Sequence, residues 1–165
     1  MLTPIRIAVD AMGGDNSPEK VIRGISLHSK KKEAILYNIF GDVDKISEFI
    51  KKYPIKQNYK LFDTKEKISN EDTALSAAKK GKNSSMWNSI ESVKASKAEV
   101  AVSCGNTGSL MAISTLLLRK LPDVKRPAIA IFWPSTSKKG FNVVLDAGAD
   151  IKAQASDLLA YSNFG

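Results

Sequence analysis

The sequence has little of several residue types on which known catalytic and structural sites depend. Its 165 residues include one cysteine and one histidine. A single cysteine excludes an internal disulfide framework and a cysteine-rich zinc site. A single histidine gives no support for a Ser-His-Asp or Cys-His arrangement. We expect His28 on a solvated helix face and Cys104 as a small core residue at the end of a strand.

Long hydrophobic runs are also absent. Even the stretch 110–118 contains Ser114 and Thr115, whereas a bilayer-spanning helix needs about 20 apolar residues. The first ten residues lack the apolar stretch of a signal peptide, because Asp10 interrupts them. These absences predict a soluble, cytoplasmic domain.

Arginine is scarce although the chain is basic. Lysine and arginine number 25 against 17 acidic residues, a net charge of +8, yet only four of the 25 are arginine. Base readout and bidentate phosphate binding favour arginine, whereas scattered lysines more often solvate a surface. The composition therefore argues against a nucleic-acid partner. It leaves open an acidic carrier protein, an anionic substrate or an anionic membrane surface.

Short apolar segments alternate with helical patterns along a chain that is 43% hydrophobic, which suffices for one domain with a core. The predicted strands lie at 5–9, 34–40, 59–62, 99–103, 128–132 and 142–145, and the predicted helices at 18–29, 43–52, 83–96, 109–121 and 154–161. Residues 63–72 are expected to form a polar loop. Such alternation indicates a parallel sheet with helices on its faces, and so a single α/β domain over residues 1–165.

Three segments, 9–15, 102–108 and 145–150, share one design: a strand, a small polar loop with glycines, then a helix start. In a parallel sheet such loops meet at the carboxyl edge, where open α/β proteins bind ligands. Glycine lets the backbone approach a ligand, and free N–H groups at a helix start favour an anion. We therefore predict an anion site, although neither common nucleotide-binding fingerprint is present.

Two other features have both a functional and a structural interpretation. Lysines and two serines at 79–86 could hold a phosphoryl oxygen, or they could be a capped helix with solvated lysines. The carboxylates of Asp10, Asp15 and Asp146 could be general acids or bases, or could serve strand ends and helix caps.

Several segments, in this order, resemble the bacterial phosphate acyltransferase family of fatty acid/phospholipid synthesis proteins, known as PlsX. They are RIAVDAMGGD at 6–15, GD at 41–42 after the second predicted strand, KNSSM at 82–86, VSCGNTGSLMA at 102–112, RPAIA at 126–130 and GFNVVLDAGAD at 140–150. The resemblance spans nearly the whole chain and corresponds to the N-terminal half of the family.

The resemblance implies an enzyme that converts an acyl-(acyl carrier protein) thioester and inorganic phosphate into acyl phosphate and free carrier protein, for phospholipid synthesis. It implies a Rossmann-like three-layer α/β/α sandwich similar to isocitrate and isopropylmalate dehydrogenases. It also implies a homodimer that is cytoplasmic and peripherally associated with the membrane. No metal or organic cofactor is expected.

Three departures from the family pattern weaken the expected activity. Ser76, Lys79 and Lys80 stand where the family usually has a basic segment with arginines, and Asp150 stands where it usually has asparagine. A typical member also continues with a second half, to which carrier binding and membrane contact are attributed. We therefore expect a truncated chain that folds, self-associates and has little acyltransferase activity.

The mechanism we hypothesise from the resemblance is direct attack of phosphate on the thioester carbonyl, with backbone N–H groups stabilising the oxyanion. The candidate catalytic residues are Asp10, Asn106 and Asp146. The candidate phosphate- and substrate-binding residues are Gly13, Gly14, Asp15, Lys82, Ser84, Ser85, Gly105, Thr107 and Gly108. Two alternatives stay open: a non-catalytic remnant that acts as a binding or dimerising module, and a phosphotransacetylase-like enzyme that uses acyl-coenzyme A.

Overall fold

The computed structural model describes residues 3–31, 34–120, 127–146 and 154–162. The chain divides into two compact units, Met1–Arg119 and Lys120–Gly165. The assignment of the whole chain to a single domain stays a prediction.

The first unit contains a four-stranded sheet with helices on both faces. Its strands are β1 (Ile5–Asp10), β2 (Ile35–Gly41), β3 (Asn58–Asp63) and β4 (Val100–Ser103). Its helices are α1 (Glu19–His28), α2 (Val43–Lys52), α3 (Ala74–Lys80), α4 (Ser85–Lys94) and α5 (Thr107–Leu118), with a 3-10 turn at Gly81–Asn83. The strand order is β3-β2-β1-β4 and all neighbours are parallel. The predicted Rossmann-like α/β class is confirmed.

The two faces of β1 are covered by different helices, because successive side chains of a strand point to opposite faces. Val9 packs with Val21 and Ile22 of α1. Ala8 lies in a separate cluster, against which Val93 of α4 packs. The sheet is therefore buried between two helical layers, as a parallel sheet requires.

One helix of the first unit, α3, was not predicted. Its N-cap is Thr73, whose hydroxyl accepts a hydrogen bond from the N–H of Ser76 at 3.2 Å. Threonine is a common N-cap residue, so the signal for this helix start was present in the sequence. It was missed because the helix is short.

One expectation about burial in the first unit is wrong. Cys104 was expected in the core but is exposed. It follows β4, which pairs with β1 and stands at the edge of the sheet in the described part of the chain.

The second unit contains an antiparallel pair of strands, β5 (Ala130–Pro134) and β6 (Phe141–Leu145), and the helix α6 (Ala155–Ser162). We had expected both strands in the parallel sheet, and this pairing corrects that expectation. The connection, residues 135–140, is too short for a parallel crossover, which takes about a dozen residues or more. In the described parts of both units, no helix has the length and hydrophobicity needed to cross a bilayer.

Candidate functional site

The strand order places a crevice between β1 and β4. The chain leaves β1 toward α1 on one face of the sheet and leaves β4 toward α5, which packs with α3 and α4. Open α/β sheets bind ligands at this kind of switch point, outside the carboxyl ends of the strands. Two of the three predicted loops meet here: the first loop, residues 11–17, and the second loop, residues 104–106. We call the region where the two loops meet, above the carboxyl ends of β1 and β4, the glycine crevice.

Asp10 lies beneath the crevice and is 1% exposed. Its Oδ1 accepts hydrogen bonds from the Ser85 hydroxyl and, at 3.1 Å, from the N–H of Met12. Its Oδ2 accepts a hydrogen bond of 2.6 Å from the Ser103 hydroxyl. The carboxylate also lies beside the first residue of α4, where the helix dipole is positive. Both oxygens are thus engaged, and Asp10 joins β1 to β4 and α4.

Ser103 extends this hydrogen-bond network into the second loop. Its hydroxyl donates to Asp10 and accepts from the N–H of Gly105 at 3.1 Å. Ser103 was not among the predicted site residues, although a signal existed: Ser103 ends β4 as Asp10 ends β1, and the two residues are paired in register.

The glycines let the two loops touch through their backbones. A Cβ on Gly14 would lie 2.4 Å from the carbonyl oxygen of Cys104, and Gly14 has a φ of +84° that disfavours other residues. A Cβ on Gly13 would lie 2.8 Å from the backbone nitrogen of Gly105. Larger residues at either position would push the loops apart.

The N-terminus of α5 opens directly from the second loop. The Oδ1 of Asn106 caps the helix by accepting from the N–H of Ser109 at 2.8 Å. Thr107 and Gly108 are the first two residues of the helix, so their N–H groups have no acceptor within it. The N–H of Gly105, which was predicted to face the anion, is instead bonded to Ser103.

The two serines of the predicted phosphate site are buried and bonded to the protein. The Ser84 hydroxyl caps α4 and donates to the carbonyl of Gly81 at 2.6 Å. The Ser85 hydroxyl donates to Asp10. Lys82 is exposed in the 3-10 turn. The structure thus shows a structural role for both serines, and phosphate binding by these three residues stays a prediction.

A polar strap, residues 64–72, connects β3 to α3 and reaches both loops of the crevice. The side-chain amide of Asn70 donates to Oδ1 of Asp15 at 3.0 Å. The backbone carbonyl of Asn70 accepts a hydrogen bond from Nδ2 of Asn106 at 2.9 Å. This segment was predicted only as a polar loop. No periodicity or motif could have shown that Asn70 lies beside residues 55 and 36 positions away.

The remaining candidates lie elsewhere. Asp146 follows β6 in the second unit, with a φ of +60°, and residues 147–150 of its loop lie outside the described residues. Its place in the site stays a prediction. His28 is half-buried and its Nδ1 lies 2.7 Å from the Tyr37 hydroxyl, so it packs against β2 instead of standing free on a helix face.

A family model and individual known proteins both match nearly the whole of this chain. The family model described as fatty acid synthesis protein matches residues 5–165. A phosphate acyltransferase of Ruegeria pomeroyi is 47% identical over 162 residues, covering 98% of this chain and 44% of that protein. One of Pelagibacter ubique is 44% identical over 161 residues, covering 98% of this chain and 47% of that protein. The chain thus spans less than half the length of these relatives.

The fold and the crevice define a class: an open parallel α/β domain with a candidate anion-binding crevice at the switch point of its sheet. Within that class, the chain belongs to the fatty acid synthesis protein family.

Proposed function

We propose that the glycine crevice binds inorganic phosphate and presents it to the acyl thioester of an acyl carrier protein, so that acyl phosphate forms. The observation that carries the proposal is the direct backbone contact between the two glycine loops at the N-terminus of α5. Membership of the family and the name phosphate acyltransferase of two relatives support it.

Phosphate would take its hydrogen bonds from backbone N–H groups. The N–H groups of Thr107 and Gly108 stand at the positive end of the α5 dipole, which stabilises an anion. Thr107 is exposed, so solvent reaches this end of the helix. The glycines of the first loop bring further backbone close to the same space.

The proposed reaction needs little from side chains. A phosphate oxygen attacks the thioester carbonyl, a C–O bond forms, the C–S bond breaks, and the carrier leaves as its thiolate, which takes a proton from water. Backbone N–H groups would stabilise the oxyanion that forms on the way. Because both oxygens of Asp10 already accept hydrogen bonds, we assign it to positioning the loops and not to proton transfer.

Binding of inorganic phosphate, measured by calorimetry, tests the first step. Thr107→Glu places a carboxylate beside the free N–H groups and should weaken binding about tenfold or more. Thr3→Glu is the matched control, because Thr3 is exposed and precedes β1 at the opposite edge of the sheet. Equal affinities in the two variants would contradict the proposed site.

Phosphate-dependent release of carrier thiol tests the second step. We expect slow release or none by this chain alone, and release when the remaining length of the Ruegeria pomeroyi relative is fused to it. Phosphate binding with no thiol release in either form would favour the non-catalytic binding module. Faster turnover of acyl-coenzyme A than of the acyl carrier protein would favour the phosphotransacetylase-like alternative.

We also propose that the chain self-associates. Apolar side chains of β4 and α5 in the first unit are exposed: Val100, Val102, Leu116 and Leu118. An edge strand and a helix with exposed apolar side chains are typical of interaction sites. Sedimentation of the chain and of Val102→Lys should show a dimer that the lysine weakens.

Flotation with anionic vesicles would test the peripheral membrane association proposed from the family.

A further inference from the structure

We infer that Asn70 is a positioning residue of the glycine crevice: through the strap it ties the first loop to the second and so fixes where one loop lies relative to the other. The inference rests on the proposed function only in that the crevice is taken to hold phosphate. Asn70 lies outside every motif that carries the family resemblance.

The strap is anchored along the stretch that precedes its tip. The N–H of Thr64 donates to the carbonyl of Gly41 at 2.9 Å, and the carbonyl of Glu66 accepts from the N–H of Ser85 at 3.2 Å. Ile68 is buried in the cluster that includes Met86 and Trp87 of α4. The path of the strap is therefore determined by the core beneath it.

The tip itself is a closed turn. The N–H of Ser69 donates to the Asp72 carboxylate at 2.8 Å, and the N–H of Asp72 donates back to the carbonyl of Ser69 at 3.2 Å. These two bonds hold Asn70 within a turn whose ends are fixed to each other. Its carbonyl and its side chain thus present two separate groups to the crevice.

Each of those groups reaches a different loop. The carbonyl of Asn70 accepts from Asn106, whose other amide atom caps α5. The amide of Asn70 donates to Asp15. Because the Asp15 carboxylate would repel a phosphate nearby, the bond to Asn70 also offsets part of its charge with a polarised N–H.

Four variants of the full chain separate this role from a general effect on folding. Asn70→Ala removes the bond to Asp15 and keeps the backbone carbonyl. Asn70→Asp places two carboxylates against each other. The double variant Asp15→Asn with Asn70→Asp exchanges donor and acceptor and keeps the net charge of the wild type. Gln57→Ala is the control, because Gln57 is also an amide that donates to backbone carbonyls, but at the opposite edge of the sheet.

Calorimetry with inorganic phosphate is the first measurement. We expect Asn70→Ala to raise the Kd about fivefold, the size expected for one lost hydrogen bond to a charged group at an exposed site. Asn70→Asp should raise it more. The exchanged pair should return to within about twofold of the wild type, a recovery that a merely structural defect would not show. No change in Asn70→Ala, or no recovery in the exchanged pair, would overturn the inference.

Amide hydrogen exchange is the second measurement and needs no ligand. In Asn70→Ala we expect faster exchange at residues 13–15 and 106–108 as well as at 69–72. If the wild-type chain binds no phosphate, the proposed function fails, while faster exchange in both loops still supports the role of Asn70. Faster exchange confined to residues 69–72 would show that Asn70 holds only its own turn, and would overturn the inference.

Discussion

The strands of the four-stranded sheet are joined by one kind of interaction at their carboxyl ends, the carboxyl edge, and by another at their amino ends, the amino edge. At the carboxyl edge, a buried carboxylate and two serine hydroxyls link β1, β4 and α4, and glycines pack backbone against backbone. At the amino edge, Arg6 of β1 pairs with Glu99 before β4, with both side chains more than a third exposed. Water can replace the partners of an exposed pair but not of a buried one. The carboxyl edge therefore has one defined geometry, and the amino edge tolerates change.

The largest effect is expected from Gly14→Ala. The added Cβ would lie 2.4 Å from the Cys104 carbonyl oxygen, at a φ of +84°. Strain and overpacking together should lower the free energy of unfolding by about 4 kcal/mol. Gly24→Ala is the matched control: nothing lies within 4 Å of its Cβ position in α1, so alanine should stabilise. Urea unfolding measures the free energy of unfolding of both variants. Similar free energies would mean that the two loops do not touch.

Asp10→Ala should be the next most damaging change. It leaves the hydroxyls of Ser85 and Ser103 and the N–H of Met12 without their acceptor. We expect a loss of about 3 kcal/mol in the free energy of unfolding. Asp44→Asn, at an exposed position of α2, should cost less than about 1 kcal/mol. If urea unfolding shows the same loss in the free energy of unfolding for both variants, Asp10 does not hold the carboxyl edge together.

A smaller effect is expected from Ser103→Ala. The change removes one donor to Asp10 and leaves the N–H of Gly105 unpaired. We expect a loss of about 1–2 kcal/mol in stability. Ser103→Thr keeps the hydroxyl and should recover most of that loss. Because the second loop leads into α5, phosphate affinity should fall with alanine and return with threonine. If the phosphate affinity is unchanged in both variants, the hydrogen bonds of Ser103 do not contribute to the proposed phosphate site.

The smallest effect belongs to the amino edge. Hydrogen bonds from Arg6 lower the pKa of Glu99 below its ordinary value. A carboxylate whose pKa is lowered by folding stabilises the protein at any pH above its ordinary pKa. That contribution is lost as the pH falls through the lowered pKa. Glu99→Gln should therefore differ slightly in stability from the wild type at neutral pH. The difference should shrink as the pH falls below about 4.5, the ordinary value, and vanish below the lowered pKa. Thermal unfolding across that range would detect it, and a pH-independent difference would contradict the ion-pair origin.

The amino-acid pattern predicted the first unit well where signals are local. The predicted bounds of α2, 43–52, match the observed ones, because Asp42 caps the helix and Pro54 follows its end. All four parallel strands were placed within one residue of their observed bounds at each end. The second unit was predicted in element type but not in pairing, since a run of apolar residues does not specify its neighbour.

The sequence by itself determined the family, the parallel α/β layers and the glycine loops, because strand and helix periods and turn residues are properties of neighbouring residues. Only the tertiary structure decided that Asp10 bonds Ser85 and Ser103, that Ser103 takes the N–H of Gly105, and that Asn70 reaches Asp15 and Asn106. These contacts join residues far apart along the chain. They form only when the core beneath them brings strand ends, helix starts and the strap to the same edge of the sheet.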